Sequence, residues 1–433
     1  MIELLLSGPI VFIVAGLGLA AFALFSYKRP SAAAFGIILF VPLYLVRVRE
    51  DWFRINALDL LLAVFIAVAL FRFVARRSLP QLPWWIAPAA LIVLGASLAT
   101  IFAAPQLQLR ALGELKSIFV LPVLFGAVLY NIVRSDASKK LFFLRAIVVS
   151  ALALAALALF GAVFIDSFIT YDLRLRGFFL SPNHLAMALA PALVVVLGLL
   201  FSEILRRAQD PERRRGTNKK ASPVLGGALA VIAAALFFTQ SLGGIISAAF
   251  GVLLLALLFR KVSPKTAAAL IAVTAVIALT AFTAMDIGSR SPFASRFMVW
   301  QASVEILKDH WVWGIGPGAF QHHYLAVQPN FPPYLEWAAP QPHNLLLAAW
   351  LSAGLLGVVG FLGLVLGITK RSASSKLSAD KALFALHNRP SSNYYLLSTT
   401  TAALAAVVLH GLIDTPVLKN DLALVFWLLL AIM

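Results

Sequence analysis

The residues with chemistry to offer sit where the apolar runs of this chain begin. The stretch DLRLRGFFLSPNHLAMALA (172–190) places Arg174 and Arg176 in a loop directly before an apolar run. FASRFMVWQASVEILKDHW (293–311) adds Arg296, and APQPHNLLLAAWLSAGLLG (339–357) sets His343 and Asn344 at the mouth of another run. Two guanidiniums can grip a diphosphate in bidentate fashion and neutralise charge as it leaves. An imidazole near pH 7 can take a proton from an attacking hydroxyl, and neighbouring arginines would lower its pKa and keep it neutral. A lipid diphosphate is the natural ligand for such a set. Nucleotide sugars are not expected outside the cytoplasm, so a donor there should be lipid-linked. The residues alone lead to a lipid-phosphate site and not to a named reaction.

Each of these residues also has a plainer reading. A polar group at a membrane boundary is often an interfacial anchor. Asn344, Asn183 and His184 stand at helix starts, where capping is the ordinary role of such side chains. His322 and His323 have carboxylates near them in sequence, at Asp309 and Glu336. Adjacent residues point apart, however, and no H-x-x-x-H pairing supports a metal site, so neither metal nor cofactor is expected. WGIGPGAF (313–320) is a glycine-rich turn without the strand before it and helix after it that a dinucleotide fingerprint needs.

The elements that must position these groups are membrane spans. The chain is 61% hydrophobic and only 12% charged over 433 residues, too little charge to cover a soluble surface of that size. Mean hydropathy is +0.93. Spans are expected at 5–25, 32–46, 57–74, 83–104, 113–133, 142–165, 184–205, 223–240, 243–260, 266–285, 343–369 and 393–413, with a short last one at 421–433. That makes an all-α polytopic membrane protein of 12–13 transmembrane helices. The first run lacks a basic n-region and a cleavage site, so it reads as a retained span. There is no cysteine, and hence neither disulfide nor thiolate metal site.

The net charge of +17 would suggest nucleic acid on a soluble chain. Here the basic residues fall in short loops, at 26–30, 71–78, 133–140, 206–220, 260–265 and 370–389. The positive-inside rule makes those loops cytoplasmic and contact with anionic lipid explains 206–220, so no nucleic-acid partner is expected. The loops at 47–56, 105–112, 166–183, 286–342 and 414–420 then face out. Loop 286–342 is the one sizeable soluble piece, and 293–311 reads as an amphipathic helix whose apolar face is Phe293, Phe297, Trp300, Val304 and Leu307. Six of the seven histidines fall on the outer half, leaving only His387 inside.

On these residues the chain resembles the O-antigen ligase and polymerase superfamily of bacterial envelope glycosyltransferases. His343, Asn344, Gly354 and Gly357 fit the ligases' H-[NSQ]-x9-G-x-x-G pattern. RLRGFFLSPNHLA is similar to the family's R-x-G…N segment, SRFMVWQASVEILKDHWVWGIGPGAF to the R…W…G-x-G-x-x-F stretch of its large loop, and HGLIDTP (410–416) to its carboxy-terminal part. One departure stands out: many members carry T-x-S-R-G-G where this chain has TQSLGG (239–244), with Leu242 in the arginine's place.

The resemblance implies a GT-C-like fold with N-terminal helices at 1–168, a catalytic region at 169–416 and a last segment at 417–433. It implies an inverting, metal-independent transfer of a glycan from undecaprenyl diphosphate to an acceptor hydroxyl, such as that of a lipid A core, at the periplasmic face of the bacterial inner membrane. Arg176 and Arg296 are implied as diphosphate ligands, with Arg174 a rival for the first, and His343 as base or acceptor-positioning group. Asp172 and Asp414 are secondary candidates for orienting groups, alongside Asn183, His184 and Asn344 at the substrate. Gly354 and Gly357 suit close helix packing. Ligase, O-antigen polymerase and protein O-oligosaccharyltransferase share this architecture. A transporter of a small anion or lipid-linked glycan would instead concentrate ionisable groups at the midplane; within the spans Lys116 and Arg145 are the main basic candidates, and Arg145 lies near a cytoplasmic end. A scaffold leaves the outward arginines unexplained.

Overall fold

The computed structural model describes residues 9–50, 53–209, 222–259, 292–333, 336–386 and 392–433. The span expected at 266–285, most of the basic loop 206–220 and His387 lie outside these residues. The described chain is almost wholly helical, and five of its helices are long and apolar enough to cross a membrane unaided. It is an all-α polytopic membrane protein, and the spacing of its apolar runs explains why. Each backbone group in lipid must be satisfied within its own segment, which a helix alone does for an open chain.

The elements follow the expected spans with informative differences. α1 (Pro9–Lys28), α2 (Pro30–Leu39), α3 (Ala57–Ala75) and α4 (Ile86–Ile101) come first. A short antiparallel hairpin of β1 (Arg47–Glu50) and β2 (Phe53–Asn56) precedes α3, and Asn56 then caps that helix by accepting from Asp59 N at 2.8 Å. The stretch expected as a loop at 105–112 is a surface helix, α5 (Pro105–Glu114), with Leu107 and Ala111 buried. It runs through a π-helical turn (Leu115–Val120) into α6 (Leu121–Val133). α7 (Ala137–Phe164), α8 (Pro182–Gln209), α9 (Pro223–Phe238) and α10 (Leu242–Leu258) complete the first set. The second comprises α11 (Pro292–His310), α12 (Phe320–Val327), α13 (Leu345–Leu386), α14 (Ser392–His410) and α15 (Asn420–Ile432).

α8 packs against α7, α9, α10 and α14, while α4 pairs with α13 and α6 with α15. The α4–α13 contact is close because small residues face each other: a Cβ on Gly95 would stand 2.2 Å from Ala353 O. The short last helix is packed inside the protein. Residues Asp421–Ile432 are buried almost throughout, so thirteen residues suffice because the helix lies within protein.

α11 departs in part from its expected face. Leu307 is buried as expected and Phe293 and Trp300 are half-buried, whereas Phe297 and Val304 are exposed. Met298, Val299, Ala302 and Ile306 join Leu307 in a small second core with Ile315, Phe320 and Tyr324, where the helix packs on both α12 and α13. Phe297 and Val304 are left outward on the opposite side.

Candidate active site

The loop between α7 and α8 folds on itself through a single antiparallel bridge from Ile169 to Leu175. Leu175 N donates to Phe238 O at 2.8 Å, which straps the loop to the end of α9. In that frame the two arginines diverge. Arg174 Nε donates to Thr239 O at 3.0 Å and a terminal nitrogen to Asn183 Oδ1 at 3.0 Å, while Asp172 lies 3.8 Å away. Arg176 Nε is spent on Ser167 O at 2.6 Å.

Arg296, on the second turn of α11, is half-buried and donates to no described residue. Burial lowers its pKa, the carboxylates of Asp414 and Glu336 oppose that, and the like charge of Arg174 adds to it. The charge of Arg174 is thus felt at Arg296, while Arg176 is turned to Ser167 O. A desolvated guanidinium without a hydrogen-bond acceptor is costly to hold, and an anion supplied from outside would relieve the cost.

His343 sits in a tight connection. Its backbone is left-handed, with φ at 49°, a conformation that costs a non-glycine residue about 1–3 kcal/mol and persists only when its surroundings enforce it. They do so here: Trp300 Nε1 donates to His343 O at 3.2 Å, and Leu345 N donates to Gly411 O at 2.6 Å. Asn344 caps α13, accepting from Leu346 N at 3.0 Å and Leu347 N at 3.1 Å, and donates to Leu412 O at 3.0 Å. The start of α13 is thus stitched to the turn after α14.

That turn carries Asp414, which is buried and lies 3.5 Å from His343 Nδ1, an ion-pair contact in which the buried Nδ1 completes no hydrogen bond among the described residues. Burial alone would push the carboxyl up; the pairing with His343 and the charges of Lys419 and His410 overcome it and hold Asp414 below the usual carboxylate range. Lys419 in turn donates to Gln341 Oε1 at 2.9 Å, and Thr415 Oγ1 bonds the same oxygen. His410, buried with Nδ1 3.4 Å from Ser247 Oγ, joins the group from the end of α14. Sequence reasoning passed over His410, Lys419 and Gln341. The run HGLIDTP was the available signal for the first, whereas nothing local marks the other two.

His184 goes elsewhere. Its Nε2 lies 3.0 Å from both oxygens of Asp421, and its ring packs on Phe179 with centroids 4.3 Å apart. Gly354 likewise serves packing. It breaks α13 with φ at 60°, and a Cβ there would meet Val312 O at 2.3 Å. Leu355 N bonds that carbonyl at 2.9 Å and Ile315 N bonds Leu351 O at 2.7 Å, so the glycine-rich turn plugs the break in the helix. The rings of His310, His322 and His323 gather at centroid distances of 5.2 and 5.7 Å, and burial first, then the other two rings, lowers His323 to about 4.

Residues 227–362 match the family model described as O-antigen ligase. The matched segment holds Arg296, His343, Asn344, Gly354 and Gly357, while Arg174 and Asp414 lie outside it and are brought to it by the fold. No curated protein matches the chain.

Proposed function

From the match of residues 227–362 to the O-antigen ligase family model, we propose that the chain transfers a glycan from undecaprenyl diphosphate to an acceptor hydroxyl at the periplasmic face of the bacterial inner membrane. The family supports a glycosyltransferase of the ligase and polymerase type, working on lipid-linked glycans in a membrane. The finer reading rests on one observation: Arg296, without a described hydrogen-bond partner, stands within electrostatic reach of Arg174 and of the buried carboxylate that faces His343.

In this reading Arg174 and Arg296 hold the diphosphate and take up the charge that grows as the sugar–phosphate bond breaks. We assign that role to Arg174 rather than Arg176 because its charge acts on Arg296, whereas Arg176 Nε serves Ser167 O. Asp414 keeps the proton on His343 Nδ1, which leaves Nε2 to accept the proton of the attacking hydroxyl. Attack from the face opposite the diphosphate inverts the anomeric centre. A lipid A core is the acceptor we favour, because the His343–Asn344 pair fits the ligase pattern.

The transport reading draws no support from the midplane. Lys116 Nζ meets Asp59 at 2.7 Å and Ser117 Oγ donates to the same oxygen at 2.6 Å, a locked pair rather than a carrier site.

The test is transfer by the purified chain from an undecaprenyl-diphosphate glycan to a lipid A core, read by product mass. Wild type should form product and Arg174→Ala, Arg296→Ala and His343→Ala should not; equal turnover in all four would overturn the assignment. Solute movement across proteoliposomes without bond cleavage would favour transport. Because the chain holds no cysteine, single cysteines placed at exposed loop positions and labelled in intact cells with a membrane-impermeant maleimide report which side the site faces.

A further inference from the structure

A second charged site lies at the other end of the bundle. α13 leaves the neighbourhood of His343 at Leu345, and further along it Gly367 packs on Trp84, whose ring Arg371 overlies at 6.0 Å. α15 starts at the active-site end, beside Lys419, and Trp85 Nε1 bonds its Leu430 O at 3.2 Å near the far end. Next to these tryptophans, Gln81 and Asn131 exchange two hydrogen bonds of 2.8 and 3.0 Å and help close a cavity of about 300 Å³ between the ends of α1, α3 and α6.

The lining of this cavity has two characters. Arg72, Arg76 and Arg134 provide three cations, and no aspartate or glutamate lines it. Arg72 is oriented by Tyr27, donating to its carbonyl at 3.0 Å with the guanidinium 5.7 Å from its ring. Arg76 and Arg134 meet no carboxylate among the described residues. Deeper in, Phe65, Val68, Val128 and Ile132 form an apolar wall. Ser26, which also lines the cavity, has a buried hydroxyl with no hydrogen-bond partner among the described residues, the kind of orphan a bound acceptor satisfies. The surface around the mouth is large and apolar, with Phe71, Val74, Leu79 and Leu82 all exposed, as suits helices bathed in lipid.

We propose that this cavity binds the phosphate head group of an anionic phospholipid in the leaflet opposite the candidate active site. Arg72, Arg76 and Arg134 hold the phosphate, Ser26 donates to one of its oxygens, and the apolar wall takes the first carbons of the acyl chains. Basic pockets between transmembrane helices recognise anionic head groups in this way, since arginine forks match phosphate oxygens and the chains add buried apolar area. The site is independent of the transfer reaction and stands whether or not that reading holds.

The test is native mass spectrometry of the delipidated full chain in a neutral detergent, titrated with phosphatidylglycerol, phosphatidylethanolamine or inorganic phosphate. Wild type should take up one phosphatidylglycerol with at least about tenfold preference over phosphatidylethanolamine, and millimolar phosphate should not displace it. The double variant Arg76→Gln/Arg134→Gln should weaken uptake at least about tenfold. Ala69→Phe, which fills the cavity and leaves its charge alone, should do the same. The charge-matched control Lys28→Gln/Arg29→Gln, at the same end but not lining the cavity, should stay within about twofold. A thermal midpoint measured for each variant restricts the comparison to folded protein. Equal loss in the control, equal uptake of the zwitterionic lipid, or full uptake by Ala69→Phe would overturn the proposal. Displacement by phosphate at equal concentration would overturn its lipid source.

Discussion

Two histidine–aspartate pairs stand at helix mouths in this protein, and they are built to opposite ends. His184 begins α8 and meets Asp421; His343 precedes α13 and meets Asp414. Asp421 receives His184 Nε2 on both oxygens at 3.0 Å, and the ring is packed on Phe179 in a relaxed helical turn. Asp414 touches His343 at a single 3.5 Å contact through Nδ1, from a strained backbone, with more of the ring open. A closed pair locks two helices together, whereas the proposed reaction calls on the open pair to exchange a proton. Residue type alone does not separate them; the length of the contact and the strain of the backbone do.

The sharpest way to break this comparison is to remove each imidazole. His343→Ala should lower glycan transfer by about 10²–10⁴-fold while the protein still folds. His184→Ala should leave transfer per folded molecule within a few-fold, but strand Asp421 without its partner and cost about 3–5 kcal/mol of stability. Transfer assays beside denaturation curves check both. If His184→Ala abolishes transfer in well-folded protein, the two pairs are not distinct in kind.

The arginines sharpen the same contrast. Arg174→Ala and Arg296→Ala should each reduce transfer by about 10²–10³-fold, the loss typical of one donor to a developing anion. Arg176→Ala should stay within several-fold, since its Nε serves a loop carbonyl. Steady-state rates with a lipid diphosphate donor decide between Arg174 and Arg176. A smaller effect is expected for Asp414→Asn, about 10–100-fold, because the amide no longer fixes the imidazole tautomer that presents Nε2.

Much of this was legible in the sequence for physical reasons. Apolar runs long enough to span announce helices, since the lipid leaves the backbone no alternative, and all but one of the expected spans reappear in the described helices. Asn344 as a cap followed from its place at a helix start. The different partners of Arg174 and Arg176 were not legible: two residues of spacing say nothing about which side chain meets which carbonyl, and the bond of Arg174 to Thr239 joins residues 65 apart in sequence. The face of α11 was legible only in part: Leu307 is buried as its spacing suggests, but packing on two neighbours draws in Met298, Ala302 and Ile306 and leaves Phe297 and Val304 exposed. The role of Gly354 needed the glycine-rich turn to be seen inserted against it.

The smallest effect concerns pH and tells the carboxylate of the open pair apart from the histidine trio of the soluble loop. Asp414 is held below the usual carboxylate range, so its contribution to stability is present above that range and is lost only when pH falls through its lowered folded value. His323 behaves differently. With its folded pKa lowered from 6.5 to about 4, the unfolded chain binds a proton that the fold rejects throughout that window. Stability should therefore fall as pH drops from 6.5 towards 4, by about 1–3 kcal/mol, and lose nothing further from this group below that. His323→Gln should make the decline shallower without abolishing it, and Asp414→Asn should leave it in place. Unfolding midpoints measured from pH 7 to pH 4 on the three proteins check this. A slope that survives undiminished in His323→Gln and vanishes in Asp414→Asn would move the acid sensitivity from the loop to the site itself.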